Sequence, residues 1–292
     1  MDGLSPIDAW AVLAILAKAA GYAAALVAMG GPLFIAVFTF APDDVLSLAR
    51  KLAVIAALLG LAVLALRFGI RSARISGMGL EGAVDPMMLG FVWDSPLGTA
   101  ALWRGAGELL ILVVLIEGTI SLAASLLGAL LVAVSYTLVG HSLGDPRWLL
   151  AGLVGAHLLA GAFWIGALAP LHRAAGLTGG AALLHRFGTI ASGTVAILVL
   201  AGLTFAWLMI GSFGGLFGTA YGWTLIAKLI FVTGLLGLAA KNKLQFVPAL
   251  ASGEPSAPAR LRRSIRVEII TVALILLTTA TLTSITTPPV NL

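Results

Sequence analysis

The sequence predicts an all-α integral membrane protein of eight transmembrane helices, arranged as a parallel 4+4 internal repeat. Three observations carry this. Hydrophobic residues make up 60% of the 292 positions and charged residues only 10%, with a mean hydropathy of +1.10, which is the composition of a polytopic membrane chain. Apolar runs long enough to cross a hydrocarbon core of about 30 Å, about 20 residues each, recur along the chain. Polar landmarks of the first half return at fixed offsets in the second.

The apolar ruler places spans near 8–38, 46–68, 97–116, 119–140, 148–170, 187–211, 222–240 and 266–286. No Lys or Arg precedes Lys18, so the first run lacks the basic start of a secretory signal and is expected to remain as a helix. It holds Gly30, Gly31 and Pro32, which predict a bend, because proline removes a helix hydrogen bond. Only Glu117 and Gly118 divide the third span from the fourth. A long outer loop over 69–96 has room for a short interfacial helix, and the Pro-, Ser- and Ala-rich stretch 241–265 reads as a flexible connector.

Eight crossings put ten basic residues on one side, at Arg50, Lys51, Arg173, Arg186, Lys241, Lys243, Arg260, Arg262, Arg263 and Arg266. Five lie on the other, at Arg67, Arg71, Arg74, Arg104 and Arg147. The richer side is expected to be cytoplasmic, which leaves both termini outside. The same bias accounts for the net charge of +5, so no nucleic-acid partner is read into it.

Tyr22 and His157, Gly31 and Gly166, and Lys51 and Arg186 are each 135 positions apart, whereas Gly98/Gly222 and Arg104/Lys228 are 124 apart. The difference places an insertion in the outer loop of the first half. Four spans per half give both halves one orientation, related by an axis along the membrane normal. The expected units are 1–140, with the loop over 69–96, and 141–292, which carries all four histidines, within a single membrane domain.

The absence of cysteine removes disulfides and thiolate metal sites. No nucleotide-binding loop, metalloprotease motif or serine hydrolase motif is present, and the chain is expected not to be an enzyme. What remains is polar residues inside spans, each a candidate site because burying charge in a bilayer is costly. Lys18, Tyr22 and Met29 form one stripe on the first span, as do His157 and Trp164 on the fifth. On the last span Thr271, Thr279, Thr283 and Thr286 follow Glu268, and Arg104 and Glu108 are spaced to pair on the third. Lys18, Tyr22 and Glu268 are candidates for gating or coupling, although Glu268 also reads as a group favouring a helix N-terminus.

Imidazole with thioether and no thiolate suits copper, with Cu(I) favoured over Cu(II). Read from outside inward, the ligand types are Met78, Met87 and Met88 in the loop, His141 followed by Asp145 at the rim, His157 and Met29 deeper, and His172 and His185 at the cytoplasmic end. Lacking an ATP motif, such a path would be passive, ion-coupled or drawn by a cytoplasmic copper sink.

The blocks HLLAGAFWIGALAPLHR, RFGTIASGTVAILVLAGLTFAW, GTAYGWTLIAKLIF and RRSIRVEIITVALILLTTATLTSITTPP, in this order and spacing, resemble the copper-resistance D (CopD) family of bacterial inner-membrane proteins. KAAGYAAALVAMGG and WDSPLGTAALWR extend the resemblance over nearly the whole chain. It implies a multi-pass protein of the bacterial inner (plasma) membrane, with periplasmic termini, that takes part in copper uptake or homeostasis. It further implies metal-related positions at His141, His157 and His185, and a separate periplasmic CopC-like carrier as copper donor. Two other readings stay open: a b-type haem electron-transfer protein, which needs paired histidines at one depth, and a copper-binding scaffold without translocation. Glycine-rich faces such as Gly152, Gly155 and Gly161 leave open packing within the bundle or across a homodimer in the lipid bilayer.

Overall fold

The structure, a computed structural model, describes residues 7–290, without the side chains of residues 141 and 142. In chain order the helices are α1 (Ala9–Val37), α2 (Asp43–Ser76), α3 (Leu80–Val84), α4 (Pro86–Trp93), α5 (Pro96–Leu112), α6 (Thr119–Thr137), α7 (Arg147–Ala174), α8 (Gly180–Ile210), α9 (Phe213–Gly218), α10 (Ala220–Lys241), α11 (Val247–Ala251) and α12 (Ala257–Leu282). Among the described residues, α1, α2, α5, α6, α7, α8, α10 with α11, and α12 are long and apolar enough to cross a membrane, which makes eight candidate spans. The face at which α1 begins is called the near face, and the one at which it ends the far face.

Most spans outrun the apolar windows, because a helix continues past the hydrocarbon where charged residues reach water. Thus α2 carries Arg67, Arg71 and Arg74 on to Ser76 and ends at Gly77 in the left-handed conformation, which glycine adopts without penalty. The largest difference from expectation lies in 241–265. Instead of a flexible connector, α10 passes through a π-helical turn, Asn242–Phe246, into α11, and only residues 252–256 separate it from α12. There Ser256 and Arg260 hold the Glu254 carboxyl below its ordinary range by hydrogen bonding. The loop over 69–96 is mostly helical, with α4 started by Pro86 and capped by Asp85, whose carboxylate accepts from Met88 N at 2.8 Å.

α1 packs against α2, α5, α6, α7 and α12. It runs helical through Pro32, and small residues beside it admit close neighbours: a Cβ at Gly30 would strike the Ala162 carbonyl and Gly166, and one at Gly31 would strike Ala53. Gly107 and Gly128 bring α5 and α6 together in the same way. Between membrane helices this close backbone contact supplies the dispersion energy that water exclusion cannot. At the far-face end the core is aromatic, with Phe38 against Phe34 (4.9 Å between centroids), Phe163 (6.2 Å) and Phe187 (6.1 Å).

Candidate functional site

His157 lies ten residues into α7, about 15 Å from its near-face start at about 1.5 Å per residue. Its Nδ1 is 2.9 Å from the Leu198 carbonyl of α8. A carbonyl only accepts, so Nδ1 carries the proton and Nε2 keeps its lone pair, the arrangement in which a histidine serves as a metal ligand. The ring lies against Gly202, where a Cβ would meet Cε1 at 2.9 Å and Nδ1 at 3.0 Å. Lys228 of α10 is within electrostatic reach. The imidazole therefore faces α8 and α10 rather than α1.

Leu150, His157 and Trp164 recur every seven residues and share a face of α7. On α8, Met209 is seven residues beyond Gly202 and on the same face, and it packs in one buried cluster with Leu150, Tyr221 and Leu225. Met209 thus sits about 10 Å, two turns, nearer the near face than the His157 level. Nothing in the sequence alone marks this thioether, and its seven-residue spacing from a glycine facing the histidine becomes visible only once α7 and α8 are known to pair.

Two turns past His157, the Trp164 indole donates to Glu268 of α12, and Asn242 Nδ2 donates to Glu268 Oε1. Glu268 is only 3% exposed and eleven residues inside α12. It therefore does not act on a helix N-terminus, whose field fades within the first turn. Asn242 Oδ1 and Ser264 Oγ, both buried, have no hydrogen-bond partner. Asn242 was hidden in the sequence because the polar run KNK ends the apolar window while the helix continues.

A second polar group lies at the near-face end. Lys18 Nζ donates to the Thr283 carbonyl at 2.6 Å, where α12 ends. Tyr22 lies 3.2 Å from Thr283 Oγ1. Because that hydroxyl donates to the Thr279 carbonyl, Tyr22 is the donor. Tyr22 also packs against Tyr136, the rings tilted with centroids 5.7 Å apart, and Arg104 lies over the Tyr136 ring at 3.8 Å. Arg104 is thus engaged with an aromatic face and makes no ion pair with Glu108. Glu108 is fully buried, both carboxylate oxygens lack partners, and it fits against Gly60. The threonines of α12 bond their own backbone, as Thr271 to Val267 and Thr279 to Ile275.

The other predicted ligands are dispersed. Met29 is buried in the core of α1, and through Gly30 it is level with Gly166 rather than His157; nine residues, about 13 Å, separate those levels. Met87 is exposed and Met88 half-exposed on α4, which packs on α2, α3 and α5. His185 is exposed at the far-face end of α8. His141 belongs to the turn Gly140–Leu143, and its side chain lies outside the described residues. Among the described residues no three His, Asp or Glu side chains form a metal-holding group. His172 is fifteen residues along α7 from His157, about 22 Å away, too far to share a haem iron with it.

Residues 7–148 match the family described as Copper resistance protein D-like, N-terminal domain, and residues 181–282 match Copper resistance protein D. The chain belongs to the copper-resistance protein D family. Membership implies a role for this CopD-family protein in copper resistance or uptake, and the two matches together span α1 to α6 and α8 to α12. No curated protein and no solved structure matches the chain.

Proposed function

We propose that this CopD-family protein moves Cu(I) inward across the bacterial inner membrane, with the near face periplasmic and the far face cytoplasmic. The observation that carries the reading is His157, the one imidazole deep in a span among the described side chains, with Nδ1 fixed on Leu198 and Nε2 left to bind. Copper enters at the rim near His141, delivered by a CopC-like periplasmic carrier, passes the Met209 thioether and reaches His157. Cu(I) accepts two or three soft or borderline ligands, so single residues handing the ion on suit it better than Cu(II). Lys18 and Tyr22, by tying α1 to the end of α12, act as a near-face latch, and His185 receives copper at the exit. Met29, Met87 and Met88 stand apart from this path and hold no ion together with His157.

The test is copper entry into vesicles carrying the purified protein and loaded with a Cu(I)-specific chromogenic chelator. Native protein is expected to admit copper well above protein-free vesicles and His157→Ala to fall to their level, with Met209→Leu slowed but not silent. Native protein that binds copper yet admits no more than empty vesicles would leave a receptor or scaffold and sink the transport reading.

A further inference from the structure

The group around Glu268 has more hydrogen-bond acceptors than donors. Trp164 and Asn242 Nδ2 donate to the carboxyl, while Asn242 Oδ1 and Ser264 Oγ are buried and unpartnered. A carboxylate adds only acceptor sites and leaves Asn242 Oδ1, which can only accept, without a donor, whereas a carboxylic acid supplies an O–H; Ser264, whose hydroxyl both donates and accepts, favours neither form. No Lys, Arg or His of the described residues forms an ion pair with Glu268. The charged groups around it are turned elsewhere. On the π turn and its approach, Lys241 lies over Phe246 and Lys243 donates to Ser192. On α7, His172 faces Arg262 and Arg266 of α12, and Arg260 pairs with Glu254. α1 carries its lysine at the other end, on Thr283. Asn242 also opens the π-helical turn, an energetically poor element that recurs where a helix is bent to a task.

We propose that Glu268 is a proton-exchange site that couples copper entry to proton exit. The link to copper rests on the transport reading; the protonation of the site does not. In the resting protein the proton sits on the Glu268 oxygen not engaged by Asn242. Copper advancing from His157, two turns away along α7, takes the place of that proton, so the buried site carries no added charge. The O–H bond breaks as copper arrives, and the proton leaves toward the near face. After copper departs, Ser264, one turn closer to the far face on the same side of α12, passes a new proton from far-face water to the carboxylate.

Infrared difference spectroscopy on the full chain in liposomes tests the site without copper. In a Glu108→Gln background, which removes the other buried, unpartnered carboxyl, the expected result is a protonated-carboxyl band that titrates with pH, is absent once Glu268→Gln is added, moves to higher frequency in Asn242→Leu, and is indifferent to sodium. A band that survives Glu268→Gln, or one that sodium abolishes, overturns the proton site. Vesicles loaded with a pH indicator test the coupling: added Cu(I) is expected to make the interior more alkaline with native protein and not with Glu268→Gln. Acidification, or copper entry with no proton movement, overturns the exchange. Absence of copper entry by native protein would instead remove the transport reading and with it the coupling, leaving the infrared result to decide the site. Glu268→Asp, expected to retain a titrating band, separates loss of the proton from loss of the fold.

Discussion

Gly202 and Lys228 act on His157 in opposite senses, and that makes its role measurable. A methyl group at position 202 would meet the ring at 2.9 Å, and α8 holds the Leu198 carbonyl that orients it. Gly202→Ala is therefore expected to turn the imidazole and weaken copper binding about 10- to 100-fold, the usual cost of losing an outer-shell partner. Lys228, half-buried and within electrostatic reach, repels a bound cation, so Lys228→Leu, which adds no ligand, is expected to tighten binding by about tenfold. Competition against a Cu(I) chelator in detergent reads both. Equal and unchanged affinities in the two variants would show that copper binds somewhere other than His157. The place of His157 deep in a span was legible in the sequence, since one histidine stood in an uninterrupted apolar run. Its partners were not, because a backbone carbonyl and a glycine leave no chemical signature until two helices are paired.

Helix existence was legible for the same reason, as a length of apolar residues sets each span, while helix ends were not. α12 begins nine residues before its apolar window, because Arg260, Arg262, Arg263 and Arg266 extend it into water without breaking its backbone pattern. Contacts between elements were not legible: the 135-residue offset relates Gly31 to Gly166 as equivalent positions of a repeat and says nothing of which helices touch, whereas Gly166 meets Gly30. Tyr22 is within electrostatic reach of Arg104, and His157 of Lys228. Where α1 and α7 touch, a single added methyl has backbone on the other side and nothing that yields. Gly166→Ala is expected to lower stability by about 1–3 kcal/mol, read as loss of helical signal on titration with a denaturing detergent. Gly155→Ala, on the same helix with open space before its Cβ, serves as the control and should change little.

Charge and packing divide the molecule between its two faces. The three ion pairs among the described residues, Arg50–Glu117 (2.9 Å), Arg173–Asp44 (2.6 Å) and Arg260–Glu254 (2.5 Å), all lie at the far face. There they tie α2 to the α5–α6 turn, α7 to the start of α2, and the last connector to α12. Lys18, Arg67, Arg104 and Lys228, in the near-face half, have no such carboxylate partners. The far face is also where Phe163 stacks on Phe187 at 5.6 Å and on Phe38 at 6.2 Å, beside Trp164 in sequence. On the proposed path, an ion moving from His157 to Glu268 passes an apolar plug of interlocked rings one residue along α7 from Trp164, and inward passage is expected to require those rings to part. Removing one ring weakens the plug at some expense in packing, about 3–5 kcal/mol for Phe→Ala in a soluble core, so Phe163→Leu belongs beside Phe163→Ala. Both variants are expected to admit copper faster than native protein in the chelator-loaded vesicles, the alanine more than the leucine, with His157→Ala in the same background abolishing the gain. Entry that is unchanged or slower in a folded Phe163→Leu protein would mean that the rings are not the barrier, and that copper leaves His157 by another route.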